Sequence, residues 1–287
     1  SITEDLKTKY KDGLREPLLP GRVMALLFEK PSLRTRVSFE SAMTHLGGSS
    51  QFLGQDVGWG KRESVADFSK VISEFVDVIV CRTFSHSRVE ELAKYCSDCN
   101  VINGLTDYSH PCQGLADLYT IRETHGLNSS TRLAYIGDPN NVSRSLAVAC
   151  AKLGLNFAVS APDGYVFDPD FLDRLKREVP EFEIEIHSDP RDAVAGAQAI
   201  YTDVWASMGQ EGEQRKREAD FAPYQVNAQL MAVAPKDAIF LHCLPAKRGQ
   251  EVTDEVIDSK QSAVIQQAGN RMHAQKGLLA WLLAAQT

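Results

Sequence analysis

The chain has 287 residues, 43% hydrophobic and 24% charged, with a net charge of −7. That length suits two domains rather than one core, the composition is that of a globular protein, and the acidic excess argues against a nucleic-acid-binding face, which needs surplus Lys and Arg. No apolar run approaches the ~20 residues that span a bilayer, and the opening Ser1-Ile2-Thr3-Glu4-Asp5 lacks the charge and apolar core of a signal peptide, so no membrane partner and a reducing, cytoplasmic setting are expected.

In chain order, the first half reads as a polar helix over 4–11, a strand over 23–28, a helix over 34–46, a strand over 49–53 after Gly47-Gly48, and a helix over 63–75. A strand over 77–82, a helix over 87–95, a strand at 101–102 and a helix over 111–125 complete it. The second half repeats the plan: strands over 132–137, 156–160, 183–187 and 199–203 alternate with helices over 142–153, 169–178 and 190–195. A helix over 226–231, a strand over 238–241, a short run over 263–266 and a last helix over 272–285 follow. Continuous β-branched runs between amphipathic helices predict an α/β fold of two doubly wound parallel sheets covered on both faces. The turn-rich Gly126-Leu127-Asn128-Ser129-Ser130 predicts a boundary there, with domains over 1–126 and 127–287 and the last helix packing back on the first.

In such sheets ligands bind beyond the carboxyl ends of the strands, and the polar clusters of this chain stand there. Phe28-Glu29-Lys30-Pro31-Ser32-Leu33-Arg34-Thr35-Arg36 joins a strand to a helix. Its two hydroxyls, two guanidinium groups and the amides of a starting helix make a phosphate cradle, where an ordinary capped helix start is the plainer alternative. Arg82 ends a strand, His110-Pro111-Cys112-Gln113 opens a helix, and Asp138-Pro139-Asn140-Asn141 follows a strand. Asp203-Val204-Trp205-Ala206-Ser207-Met208-Gly209 and His242-Cys243-Leu244-Pro245 follow two more, and Gly269-Asn270-Arg271 precedes the last helix. The six cysteines form no dense framework, and Cys96-Ser97-Asp98-Cys99 has no second pair or His pair at zinc spacing, so free thiols and no metal are expected.

These motifs resemble the carbamoyltransferase family over nearly the whole chain. The resemblance rests on F-E-K-P-S-L-R-T-R-V-S-F-E from Phe28, R-T-F from Arg82, H-P-C-Q from His110, D-V-W-A-S-M-G from Asp203, Y-Q-V-N from Tyr224, H-C-L-P from His242 and N-R at Asn270-Arg271. S-M-G and H-C-L-P point to the ornithine branch. The resemblance implies transfer of a carbamoyl group from carbamoyl phosphate to the δ-amino group of L-ornithine, without metal or organic cofactor. It implies a homotrimer, or an assembly of trimers, in a bacterial cytoplasm or a mitochondrial matrix. It also implies residues ahead of Ser1.

By the same resemblance Ser32, Leu33, Arg34, Thr35 and Arg82 hold the phosphate. His110, Gln113, Arg271 and the backbone at Cys243 and Leu244 hold the carbamoyl end, and Asn141, Asp203, Ser207 and Met208 hold ornithine. Cys243 with Asp203 then positions and deprotonates the δ-amine, with a buried apolar thiol as the simpler alternative for Cys243. Two positions depart from the family pattern: Leu33, where many members carry Thr, and Gly58, where Gln or His reaches a neighbouring subunit. Lys61, on the same loop, is the expected substitute for that contact. A carbamoyltransferase for another amine, or a catalytically silent paralogue, are the rival readings.

Overall fold

The computed structural model describes residues 1–60, 62–206 and 211–284, which form two compact units. Unit 1 comprises residues 1–116 and the chain from Gly269 onward, and unit 2 comprises Asp117–Ala268. The passage between these units falls inside a helix, at Ala116–Asp117. The start of that helix is held by Cys112 in the core of unit 1, while Asp117 accepts a hydrogen bond from Gln267 in unit 2.

Unit 1 opens with α1 (Ile2–Lys11), whose Ser1 cap and Glu4 exchange hydrogen bonds in a capping box. There follow β1 (Val23–Phe28), α2 (Leu33–His45), β2 (Ser49–Leu53), α3 (Val65–Ser73), β3 (Val78–Arg82), α4 (His86–Tyr95), β4 (Asn100–Leu105) and the first turns of α5 (Pro111–His125). The four strands are parallel in the order β2-β1-β3-β4. Their alternation builds two cores. Met24, Leu26, Phe28, Val78 and Val80 face one side, and Ala25, Leu27, Ile79 and Cys81 face the other. Every residue from Met24 to Phe28 is buried, which is why β1 reads as an unbroken apolar run.

Unit 2 contains β5 (Arg132–Ile136), α6 (Asn141–Leu153), β6 (Asn156–Ser160), α7 (Pro169–Glu178), β7 (Ile184–His187), α8 (Pro190–Val194) and β8 (Ala199–Thr202). It continues through α9 (Gln214–Phe221), α10 (Ala228–Met231), β9 (Ile239–His242) and α11 (Asp254–Ile257) into α12 (Val264–Leu283). Its five parallel strands run in the order β7-β6-β5-β8-β9, so neighbours β5 and β8 end in the loops that carry Asp138 and Asp203.

Two expectations are corrected. The last helix is expected to start at Met272, but α12 begins at Val264 within the short run 263–266, and Gly269-Asn270-Arg271 lies within the helix rather than ahead of it. A glycine inside a helix costs about 1 kcal/mol and reads as a break. Tertiary contacts of this turn offset that cost, with Lys7 Nζ donating to Asn270 Oδ1 at 2.6 Å and Lys276 Nζ donating to Leu6 O at 3.1 Å. The second concerns α9, a helix that the sequence pattern does not announce. Its segment Gln-Arg-Lys-Arg-Glu-Ala-Asp-Phe carries almost no apolar stripe, yet Arg217 and Phe221 are buried. Among the described residues no helix is long and apolar enough to cross a membrane.

Candidate active site

The polar residues of unit 1 converge on one guanidinium. Arg271, 3% exposed on α12, donates through Nη2 to Thr35 Oγ1 at 2.9 Å and through Nη1 to Gln113 Oε1 and His110 Nε2. Arg82, at the end of β3, reaches the same Thr35 hydroxyl at 3.5 Å. The start of α2, the end of β3, the start of α5 and the middle of α12 therefore deliver five of the expected residues to one place. The acceptors of Arg271 here are neutral groups, so they align its charge without cancelling it, as a site for an anion requires.

His110 completes the picture electrostatically. Burial first, then the nearby charges of Arg271 and Arg82, holds its pKa well below the usual histidine range, so it is a neutral imidazole near pH 7. Because guanidinium can only donate, Nε2 accepts from Arg271 and Nδ1 carries the ring proton.

The cradle itself is narrower than expected. Ser32 is the N-cap of α2 and accepts Thr35 N–H at 3.2 Å, which orients the first turn. Leu33 is 74% exposed, and Arg34 is half-buried with no ion pair among the described residues. Arg36, read as a second cation of the cradle, instead pairs with Glu40 at 3.1 Å and lies over the Phe52 ring. The loop after β2 has Gly58 in the left-handed region, φ 63°, and its continuation Lys61 lies outside the described residues. Beside it, Arg88 bonds Glu29 Oε1 at 2.5 Å and Trp59 O at 3.2 Å, and Thr83 bonds the other oxygen of Glu29.

Unit 2 assembles a second set around a carboxylate. Asp203 follows β8, and its Oδ1 accepts Cys243 S–H at 3.1 Å and Val204 N–H at 2.9 Å, while Oδ2 accepts from Asn140 Nδ2 at 2.9 Å. Asn140 caps α6 and also accepts from Tyr135 Oη at 3.3 Å, placing its neighbour Asn141 at the first helical position. Burial, then the negative charge of Asp203, drives the Tyr135 phenol well above its ordinary pKa, so it stays a protonated donor. Arg217 on α9 bonds Asp138 Oδ2 at 2.7 Å and Trp205 O at 3.0 Å, tying the loops after β5 and β8 together. Burial raises the Asp138 carboxyl despite that partner. Ser207 and Met208 lie outside the described residues.

Asp203, His242 and Cys243 bring one ligand atom each within 4.8 Å of one another. Both ring nitrogens of His242 are engaged, however: Nδ1 accepts Leu244 N–H and Nε2 faces Glu251, so the trio is no open metal set. The thiols of Cys96 and Cys99 are free, buried and bonded to the carbonyls of Ser69 and Asn100.

Three residues of these sets escape a sequence reading based on strand ends. Asn140 stands one position before the residue singled out, and its Asn-capping position was the available signal. Arg217 sits in a charged helix with nothing to distinguish it, and Glu251 lies beyond the H-C-L-P motif among other polar residues.

Comparison with known proteins places these sets in context. Residues 1–123 match the model of the aspartate/ornithine carbamoyltransferase carbamoyl-P binding domain, and residues 129–282 match that of the Asp/Orn binding domain. The chain is 51% identical to an ornithine carbamoyltransferase of Anoxybacillus flavithermus over 285 residues, covering 98% of this chain and 90% of that one. It is 51% identical to the ornithine carbamoyltransferase of Bacillus subtilis, with 96% and 87% covered. The ornithine carbamoyltransferase structure from Pyrococcus furiosus superposes with a TM-score of 0.93 at 47% identity, covering 98% of this chain and 91% of that one. The Thermus thermophilus structure does so at 0.86 and 41%, covering 98% and 93%.

Proposed function

The chain belongs to the aspartate/ornithine carbamoyltransferase family, and we propose that it moves the carbamoyl group of carbamoyl phosphate to the δ-amino group of L-ornithine, giving L-citrulline and phosphate. The observation that carries this reading is Arg271, buried and aligned by three neutral partners from two other elements of unit 1. Such a group is suited to the carbonyl oxygen of carbamoyl phosphate, where negative charge grows as the carbon becomes tetrahedral. Thr35, Arg82 and Arg34, with the first-turn amides at Leu33 and Ser32 capping that turn, are suited to the phosphate; His110 and Gln113 are suited to the carbamoyl amide.

In unit 2 the carboxylate of Asp203 attracts the ammonium groups of ornithine, and Asn141 stands at a helix start suited to the α-carboxylate. Cys243 is a thiol that donates to Asp203 and leaves its sulfur lone pairs to an amine N–H. The δ-ammonium first gives up a proton, which passes by way of the Cys243–Asp203 pair to solvent. The free amine then forms the N–C bond, the C–O bond to phosphate breaks, and the amine's second proton leaves with the phosphate. No covalent enzyme intermediate is needed, because the phosphate is already a good leaving group.

The same reading extends to a homotrimer with Lys61 reaching a neighbouring site, to a cytoplasmic or mitochondrial-matrix setting, and to arginine biosynthesis or the urea cycle. Light scattering tests the trimer. The activity is tested by steady-state assay of carbamoyl phosphate against ornithine, putrescine, lysine, aspartate and N-acetylornithine. Ornithine is expected to be preferred at least about tenfold, ~1.4 kcal/mol, and a smaller margin overturns the specificity.

A further inference from the structure

The side chains of His242 and Glu251 are completely buried, and the reaction proposed above gives them no part. Leu244 N–H donates to His242 Nδ1 at 2.8 Å, so that nitrogen presents its lone pair and the ring proton sits on Nε2, which donates to Glu251 Oε1 at 3.2 Å. The same carboxylate oxygen accepts Lys247 N–H at 2.6 Å. One carboxylate thus holds both ends of the turn after β9, reaching Leu244 through the imidazole and Lys247 directly. The turn carries Cys243, and at Leu244 it has φ 56°, a left-handed conformation that costs a leucine roughly 1–2 kcal/mol. The base of the turn is fixed as well. His242 N–H donates to Gln267 Oε1 at 2.9 Å, and Gln267 donates to Asp117 Oδ1 at 2.6 Å and faces Tyr201 Oη at 3.2 Å.

As a stabilising device this arrangement is poor. Glu251 Oε2 is buried without a hydrogen-bond partner among the described residues, and an unmet buried carboxylate oxygen costs free energy that an apolar residue would not. What the pair supplies is geometry: its bonds to Leu244 N–H and Lys247 N–H span the turn in which Cys243 Sγ lies 3.1 Å from Asp203 Oδ1.

We propose that His242 and Glu251 act as one unit of positioning residues that sets the Cys243–Leu244 turn against Asp203. The kinetic part of this inference rests on the carbamoyl-transfer reading; the conformational part does not. Five of the six cysteines are buried and Cys243 is partly exposed, so alkylation of the folded protein by iodoacetamide, located by peptide mass, reads Cys243. Glu251→Ala removes the acceptor, Glu251→Gln keeps an acceptor oxygen without the charge, and His242→Asn keeps an acceptor for Leu244 N–H while cutting the link to Glu251.

Glu251→Ala is expected to change the Cys243 alkylation rate about tenfold and to lower kcat about 30-fold, with carbamoyl phosphate affinity by calorimetry within about threefold of the parent. Glu251→Gln should recover most of both, and adding Glu251→Ala to His242→Asn should change neither further. Parental alkylation and kcat in folded Glu251→Ala, equal losses in the Ala and Gln variants, or additive losses in the double variant overturn the proposal. If Glu251→Ala does not fold, His242→Asn decides: loss of kcat with a changed Cys243 alkylation rate supports the proposal, and parental values of both overturn it. If the parent fails to carbamoylate ornithine while the alkylation pattern holds, positioning stands and the activity reading falls.

Discussion

The two units meet the same problem, holding a charged small molecule at strand ends, with opposite chemistry. In unit 1 a buried guanidinium is aligned by a hydroxyl, an amide and an imidazole kept neutral by its surroundings, so the set as a whole favours an anion. In unit 2 a carboxylate is aligned by a thiol, an amide and a backbone N–H, all neutral donors, and favours a cation. In the contacts named above, each set orients its charge with neutral partners. A counter-ion would stabilise the apo fold and cancel the field that a ligand needs; neutral hydrogen-bond partners fix direction and leave the charge available.

The largest expected effect breaks the two sets apart. Arg82→Ala removes a guanidinium from the anion side and should weaken carbamoyl phosphate about 100-fold by calorimetry, the scale of a charge-assisted contact of ~2.7 kcal/mol. Asp203→Ala should leave that affinity within about threefold while nearly abolishing turnover of ornithine. Equal loss of carbamoyl phosphate binding in both variants would show that the division by charge is wrong.

A smaller effect concerns the loop after β2. Lys61→Ala should raise the KM for carbamoyl phosphate about tenfold, ~1.4 kcal/mol, if that lysine stands in for the side chain missing at Gly58. Restoring Gln at position 58 should recover only part of this. The left-handed φ of 63° there costs a side chain roughly 1–2 kcal/mol, and a Cβ would lie 2.9 Å from Arg62 Cδ. An unchanged KM in Lys61→Ala removes the loop from the anion side.

The smallest effect sharpens the claim that His110 is neutral. Its folded pKa lies well below 6.5 and its unfolded pKa near 6.5, so below pH 6.5 the unfolded chain takes up a proton that the folded one refuses. Stability is therefore expected to fall as the pH drops from about 6.5 towards the folded-state value. In His110→Asn this part of the loss should vanish. Calorimetric Tm at pH 7.5 and 5.5 compares the two; an equal drop in both proteins means that His110 charges freely when folded.

Features that depend on neighbours a few residues away were legible in the chain itself. Unbroken apolar runs such as Met24–Phe28 and Ala134–Ile136 demanded buried parallel strands, and Ser32 ahead of Leu33-Arg34-Thr35 demanded a capped helix start. The charge types of the site followed too, since only a few strand ends carried Arg, His, Asp or Cys. Side chains and helix extents governed by distant partners were not legible. Thr35, His110 and Gln113 stand 236, 161 and 158 residues from Arg271, and no local pattern marks such pairings. The helix runs on through Gly269 because Lys7, 263 residues from Asn270, bonds that turn. Arg36 looked equivalent to Arg34 until Glu40 and Phe52 claimed it, and Glu251 looked like a surface glutamate until the turn closed over it. Local periodicity and capping are energies of one or two turns and are written in the sequence. Which buried group faces which is decided when the whole core packs, because only then are the competing contacts with water removed.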